Sequence, residues 1–179
     1  MNQIILQKAC RMVAQIEEKI VEKELDIEKC MPELVRITQA TALDVYHELI
    51  EQADAAIKAA KQERRQEGLV VERNQDSRTL ITSIGDLNYE RTYYWNSEKR
   101  RYEYPVDRLL GIEHYERVEP GLSKGLVSCA RTRSYRDSSK RKCKGSVTAQ
   151  TVMNKIRKAE PVIPSYTLTN GTSVLFRCE

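Results

Sequence analysis

The chain has 179 residues and a mass of 20.7 kDa, a size that accommodates one domain or two small ones. Hydrophobic residues make up 40% of it and charged residues 31%, a composition that is neither low-complexity nor typical of a disordered chain. No run approaches the roughly 18 apolar residues of a membrane span, and residues 1–10 lack the charged-then-apolar order of a signal peptide. We therefore expect a cytoplasmic protein with no membrane partner.

Cysteine and histidine supply little material for a metal or catalytic site. The five cysteines are widely spaced and form no CxxC pair, which argues against a zinc ribbon and against a disulfide framework. His47 and His114 are the only histidines. They are too few for a metal site built on imidazole or for a triad that needs a histidine base.

The net charge of +4 is distributed unevenly along the chain. Residues 1–68 hold 10 basic and 13 acidic residues, whereas the rest holds 20 basic and 13 acidic residues. The basic excess is densest over residues 131–158, where ten Lys and Arg residues face a single acid, Asp137. Such a patch is typical of a protein with a polyanionic partner, although a solvated helical surface has the same composition.

The first 68 residues have a helical pattern. Apolar residues recur at helical spacing over residues 4–29 and again over residues 34–60. Pro32 lies between the two runs and Gly68 follows the second, so we predict two helices that end at these residues. Their apolar stripes could pack together as an antiparallel hairpin or join a partner chain in a coiled coil, and the sequence does not distinguish the two. We interpret the region as a packing or oligomerisation element.

The next region has the alternation of strands. Four β-prone runs (69–72, 78–84, 87–95 and 101–104) are separated by turn residues and predict an antiparallel meander of three or four strands. Aromatic rings interleaved with basic side chains on a sheet can stack bases and hold phosphates, as in single-strand binders. Cross-strand aromatic pairs also stabilise small sheets, and we favour that interpretation. Six of the eleven aromatic residues lie here: Tyr89, Tyr93, Tyr94, Trp95, Tyr102 and Tyr104.

Helical signals return in the last third. Three short helices are predicted over residues 122–130, 135–143 and 149–158, with Ser134 and Thr148 as N-caps of the second and third. Two short helices joined by a glycine-containing turn are typical of a helix-turn-helix, although a three-helix packing module has a similar pattern. The middle helix is nearly devoid of apolar residues. We expect it to be marginally stable and anchored by Tyr135 and Cys143 alone.

The third helix of this region carries the predicted DNA contacts. Val152 and Ile156 should face the core together with Val147, which leaves polar residues facing outward near the amino end. Gln and Asn can pair with adenine, Thr can contact a thymine methyl group, and Lys and Arg can neutralise phosphates. The predicted base-contacting residues are Gln150, Thr151, Asn154 and Lys155, and the predicted phosphate-contacting residues are Arg131, Arg133, Arg136, Lys140, Arg141 and Lys142.

Several segments carry a family resemblance. They are RTLIT at 78–82, GDLNYER at 85–91, YEYPVDRLLG at 102–111, YERVEPGL at 115–122, SYR at 134–136 and TAQTVMN at 148–154. In order and spacing they resemble the amino-terminal region of bacterial insertion-sequence transposases of the ISLre type, over about residues 69–158. The resemblance implies a DNA-binding amino-terminal half followed by an RNase H-like catalytic domain whose acidic residues hold a divalent metal.

The resemblance also implies what this chain does. Only about twenty residues follow Glu160, so we expect a truncated transposase-like protein that keeps the DNA-binding region and is not itself an enzyme. Its partner would be the double-stranded DNA of the element's terminal repeats, and it would need no cofactor, because the divalent metal belongs to the missing catalytic domain. The alternative is a helical interaction or regulatory protein that forms homo-oligomers or assembles with a full-length transposase.

Together these patterns predict an α+β fold with four regions. A helical hairpin or coiled-coil region occupies residues 1–68, and a small antiparallel sheet occupies 69–110. The helix-turn-helix region spans 111–160, and a truncated tail spans 161–179.

Overall fold

A computed structural model of the chain describes residues 3–159, and the predicted tail at 161–179 lies outside them. Within the described residues, helices at both ends of the chain flank a small antiparallel sheet, which confirms the predicted α+β class. The elements in chain order are α1 (Gln3–Glu22), α2 (Ile27–Ala59), α3 (Lys61–Gln66), β1 (Leu69–Ile81), β2 (Asp86–Asn96), β3 (Arg101–Glu103), α4 (Pro105–Leu109), α5 (Pro120–Ala130), α6 (Tyr135–Cys143) and α7 (Ala149–Lys158).

The first two helices form an antiparallel hairpin, in which the Lys8 ammonium near the start of α1 donates to the Asp44 carbonyl of α2. We call α1 together with residues 27–49 of α2 the helical arm. Helix α1 ends in a Schellman motif, because Glu24 adopts a φ of 53° and the Leu25 amide bonds to the Ile20 carbonyl. Of the two arrangements that the sequence left open, the first two helices therefore form the antiparallel hairpin.

The break between the two helices does not lie at Pro32, so that part of the prediction is wrong. Asp26 caps α2 by accepting hydrogen bonds from the amides of Glu28 and Lys29 at 3.0 and 3.3 Å. Pro32 lies six residues into α2 and removes one helical hydrogen bond, a loss that the packing of a 33-residue helix offsets.

The sheet has the strand order β1-β2-β3, with antiparallel pairing throughout. The two β-prone runs at 69–72 and 78–84 are not separate strands, as the sequence pattern suggested, because β1 is continuous over 13 residues. Register shifts between Val71 and Arg73 and between Arg73 and Asp76 mark bulges, and Gln75 has a φ of 59°. The bulges take the extra polar residues into the strand without breaking the ladder.

The second half of α2 packs on the sheet and builds the first hydrophobic core, in which Ile50 contacts Leu80, Leu87 and Tyr89. A buried carboxylate fastens the same helix to β2, since Asp54 accepts the Thr92 amide at 3.0 Å and the Thr92 hydroxyl at 2.6 Å. The region 1–68 and the sheet therefore share one core.

A buried aspartate joins the sheet to α4. The Asp107 side chain is 6% exposed and accepts hydrogen bonds from the guanidinium groups of Arg78 and Arg91 and, at 3.1 Å, from the Tyr89 hydroxyl. Burial and the charge of Asp107 raise the pKa of Tyr89. Arg78 also donates to the Glu116 carbonyl, so this Asp107 hub contacts the segment that leads to the last three helices.

No helix within residues 3–159 combines the length and the apolar character that crossing a bilayer requires.

Candidate nucleic-acid interface

Helices α5, α6 and α7 pack on one another around a second core. Leu122 and Leu126 of α5 meet Val152 of α7, and Val147 covers the core from the turn between α6 and α7. The predicted inward positions of Val147, Val152 and Ile156 are confirmed, with Ile156 half-buried at the margin.

The caps of the two last helices form as predicted. The Ser134 hydroxyl accepts the Asp137 amide at 3.2 Å, and the Thr148 hydroxyl accepts the Thr151 amide at 3.2 Å. Between the helices Lys144 is left-handed with a φ of 53°, and Gly145 follows with a φ of 89°. The chain therefore reverses sharply after α6, and α6 and α7 are two short helices joined by a glycine-containing turn.

Helix α6 docks through small polar residues. The Tyr135 side chain is 39% exposed, so the prediction that it anchors the helix is wrong, whereas Cys143 is buried as predicted. Ser138 and Ser139 are also buried, and their hydroxyls donate to the carbonyls of Ser134 and Val147. Small side chains allow close packing of the helix backbone, and each hydroxyl has the hydrogen bond that burial demands.

All six predicted phosphate-contacting residues are exposed. Arg133 and Arg141 lie 3.4 and 3.2 Å from the Asp137 carboxylate, which is itself 41% exposed. Arg131, Arg136, Lys140 and Lys142 have no acidic partner within 4 Å among the residues that the structure describes. These cations are therefore accessible to an external anion.

The base-contacting set divides into two groups. Gln150 and Asn154 are exposed one turn apart on α7, and the Gln150 amide donates to the Asn154 side-chain carbonyl at 3.4 Å. Thr151 is half-buried, and its hydroxyl lies 3.0 Å from that of Thr148. The exposed hydrogen-bonding edge of α7 is therefore formed by Gln150 and Asn154.

Lys155 has a different environment from the one predicted. Its side chain is 12% exposed and forms an ion pair with Glu116, whose carboxylate also accepts the amides of Arg117 and Val118. Burial alone would raise the pKa of Glu116, but the hydrogen bonds and the charge of Lys155 outweigh it and lower that pKa. The prediction that Lys155 faces outward is therefore wrong, and the pair joins α7 to the loop before α5.

An uncharacterised protein family, UPF0236, matches residues 20–165, which include the second half of the arm, the sheet and all three last helices. The chain belongs to UPF0236. Two UPF0236 proteins of Caldanaerobacter subterraneus subsp. tengcongensis are each 37% identical to it over 158 residues, and a third is 36% identical over 161 residues. These matches cover 87% or 88% of this chain and 33% or 34% of each relative, so the chain spans about a third of their length. No solved structure matches the chain significantly.

In this UPF0236 chain, the exposed surface of α7 continues onto the loop before α5. A groove of about 550 Å³ is lined by Thr151, Asn154 and Lys158 of α7 and by His114 and Tyr115 of the loop. The sequence pattern gave no reason to place these two rings beside α7. The Lys155–Glu116 pair, which joins residues 39 positions apart, lines the same groove.

The described part of this UPF0236 chain, residues 3–159, contains no group of three or more His, Cys, Asp or Glu side chains that could hold a metal ion.

Proposed function

We propose that this UPF0236 chain is the DNA-binding region of an insertion-sequence transposase of the ISLre type, which binds the double-stranded terminal repeats of its element and does not itself cleave DNA. The observation that carries the proposal is the α6–turn–α7 unit, in which the exposed Gln150–Asn154 edge stands beside exposed cations. A recognition helix reads base edges in the major groove near its amino end, where these two residues lie.

The division of labour between the two helices fits such binding. Gln and Asn side chains each offer a donor and an acceptor, the combination that pairs with the major-groove edge of adenine. The unpartnered cations Arg136, Lys140 and Lys142 lie on α6, the first helix of the motif, which crosses the DNA backbone in proteins of this kind. They can neutralise phosphates and release counterions.

The names of the relatives support a mobile element. One of the 37% identical proteins carries eleven locus designations of its genome under a single name, and another carries four. A protein that is encoded at many loci of one genome has had its gene copied many times, as is expected for an element that moves and multiplies.

A binding titration tests this proposal. The full chain is titrated with a duplex from the end of the element that encodes it and with a scrambled duplex, at several salt concentrations. We expect tighter binding to the element end, and each phosphate contact should add about −0.9 to the slope of log K against log salt. Lys140→Ala and Lys142→Ala should each weaken binding to both duplexes and reduce the slope by about 1.

The variant that separates recognition from general attraction is the double change Gln150→Ala with Asn154→Ala. Each base contact contributes about 1–3 kcal/mol of discrimination, so the preference for the element end should largely disappear while binding to the scrambled duplex remains. Gln62→Ala, an exposed glutamine of α3, is the matched control. A binding constant that does not change with salt concentration, or equal affinity of the unmodified chain for both duplexes, would contradict the proposal.

The helical arm favours a second function, assembly with another copy of the same arm. No residue of α1 is fully buried, and large apolar side chains of the arm are exposed. On α2 the sequence Met31, Val35, Thr38, Ala42, Val45, Leu49 advances in alternating steps of four and three residues, the spacing of a coiled-coil seam. We define the apolar face of the arm by Leu6, Val13 and Val21 of α1 and Ile27, Met31, Val35 and Leu49 of α2, which are 44–75% exposed.

The size of this apolar face matches what a dimer needs. Successive helical residues are 100° apart. By this spacing, the exposed flanks of α1 and α2 are turned in the same rotational sense from the sides on which the two helices face each other. In an antiparallel hairpin, both flanks therefore lie on the same side of the arm. Residues 27–49 extend about 34 Å, and two packed helices are about 18 Å wide, giving about 600 Å² per copy. Two copies would bury about 1,200 Å², the lower end of stable interfaces. We therefore propose that two arms form a four-helix bundle, as self-association or with the same arm of a longer transposase.

Light scattering after size exclusion tests the arm. The full chain should have twice the 20.7 kDa mass of one protomer, and Val35→Glu with Leu49→Glu should return it to 20.7 kDa, because four buried carboxylates oppose the dimer. Gln15→Glu adds an exposed charge on the opposite side of α1 and should leave the dimer intact. A monomer at all concentrations for the unmodified chain would contradict this second proposal.

A further inference from the structure

Six aromatic rings form a continuous row over one side of the sheet and beyond it. Neighbouring ring centroids are 4.8 Å apart for Trp95–Tyr102 and for Tyr102–Tyr93, and 4.7 Å apart for Tyr93–Tyr104. The row continues over 6.3 Å to His114 and 4.1 Å to Tyr115. We call these six residues the ring ladder.

Sheet stability accounts for only part of the ring ladder. Tyr93 and Trp95 of β2 pair across the strands with Tyr102 of β3, as expected for a small sheet. His114 and Tyr115, however, lie in the loop between α4 and α5, outside the sheet. The cross-strand interpretation that the sequence favoured therefore does not explain the far end of the row.

Tyr115 has features that a structural ring would lack. It is 90% exposed, so its ring gains almost nothing from burial, and its φ of 66° is unfavourable for a residue with a Cβ atom. Non-glycine residues held in this region occur at turns and helix ends and also cluster at functional sites. Tyr102, in the middle of the row, is also 45% exposed.

Cations accompany the rings. The Arg73 guanidinium lies 5.3 Å from the Tyr93 ring centroid, and its side chain is 60% exposed. Arg101, beside Tyr102 in β3, is 65% exposed. Their carboxylate partners, Asp76 and Glu103, are only 25% and 14% exposed, so the positive groups project further into solvent than the negative ones. The surface of the ladder therefore presents aromatic faces and positive charge together.

We propose that the ring ladder binds single-stranded DNA, with unpaired bases stacked on Tyr115 and Tyr102 and backbone phosphates near Arg73 and Arg101. Aromatic platforms beside positive charge hold single strands without sequence preference, because every base has a face that can stack. The groove that Tyr115 shares with Asn154 connects this site to α7. A strand leaving a duplex bound at α7 would thus reach the ladder directly.

Single-strand binding at the ladder does not rest on duplex binding at α7, and the two can be tested apart. Trp95 is the only tryptophan of the chain and lies at one end of the ladder, so its fluorescence reports stacking nearby. The full chain is titrated with a 15-nucleotide oligothymidine. We expect saturable quenching of Trp95. A strand of the same length with abasic sugars has the same charge and no bases, and should bind at least tenfold more weakly.

Ring removal locates the site. Tyr115→Ala and Tyr102→Ala should each weaken binding of the oligothymidine about 5- to 150-fold, the effect of losing one stacked base. Tyr115→Phe keeps the ring and should bind normally. Tyr46→Ala removes from α2 a ring that is about as exposed as that of Tyr102, and it should change nothing.

Equal affinity for the thymidine and abasic strands would overturn the proposal, since charge alone would then explain binding. So would Tyr115→Ala and Tyr102→Ala variants that bind like Tyr46→Ala. If the oligothymidine stacks while no duplex preference exists, the ladder proposal stands and the duplex proposal fails.

Discussion

Replacing Asp107 with alanine is expected to lower the free energy of unfolding by about 3–5 kcal/mol, because it leaves two buried guanidinium groups without a countercharge. The side chains of Arg78 and Arg91 are 8% and 13% exposed, so water cannot take the place of the carboxylate. The Tyr89 hydroxyl loses its acceptor as well. Asp107→Asn keeps the shape and one acceptor oxygen but removes the charge, and it should lose most of the same free energy.

Urea denaturation followed by far-ultraviolet circular dichroism, which reports the helices around both cores, measures this loss. The matched control is Asp137→Ala, because Asp137 also lies between two arginines, Arg133 and Arg141, but is 41% exposed. Exposed pairs contribute about 0–1 kcal/mol, so the control should change stability by no more than about 1 kcal/mol. Similar losses for the two variants would show that burial is not what makes the Asp107 hub strong.

The contrast between Asp107 and Asp137 shows what the sequence could and could not predict. Asp137 stands out in the sequence as the one acid among ten cations, yet its side chain is 41% exposed and its ion pairs lie at the surface. Asp107 stands in the YEYPVDRLLG segment without any charge pattern of its own, and its partners lie 29 and 16 residues away. Local periodicity contains no information about such distant pairs.

The element types were predictable where the signal was local. Caps at Ser134 and Thr148 depend on hydrogen bonds to residues three positions on, and both form as predicted. The end of α1 at Glu22 was missed because the left-handed residue of a Schellman motif is usually glycine, and here it is Glu24. The continuity of β1 was missed because bulges admit polar residues that normally indicate a turn.

The candidate site was predictable only in part, because local sequence patterns do not reveal contacts between residues that are distant along the chain. Exposure of Gln150 and Asn154 follows from helical spacing once Val152 is assigned to the core. The burial of Ser138 and Ser139 could not be inferred from polarity, since it depends on the Val147 and Ser134 carbonyls lying within reach. Lysine is a residue type that commonly contacts DNA, which is why Lys155 was predicted to do so. Its ion pair with Glu116 forms only in the folded chain and could not be predicted from local sequence.

Leu126→Ala is expected to lower the free energy of unfolding of the last three helices by about 2–5 kcal/mol. Leu126 is fully buried at the centre of the second core, where α5 meets α6 and α7. Helices of 9 to 11 residues are not stable alone in water, so α6 and α7 depend on this packing. The variant should therefore also lose duplex binding, although Leu126 is fully buried and cannot itself contact DNA.

Two probes separate a local from a global effect. The first core holds Ile50, Leu80 and Leu87, and contact between the two cores runs through Ile81, which bridges to Val118 and borders the second core. We expect amide exchange in α5, α6 and α7 to accelerate in Leu126→Ala while Trp95 fluorescence keeps its native value, because the sheet retains its own core. Leu109→Ala, at a leucine that is 67% exposed, is the control and should change stability by no more than about 0.5 kcal/mol. If Trp95 instead reports unfolding together with α7, the two cores form one cooperative unit, and the bridge at Ile81 couples α5, α6 and α7 to the sheet.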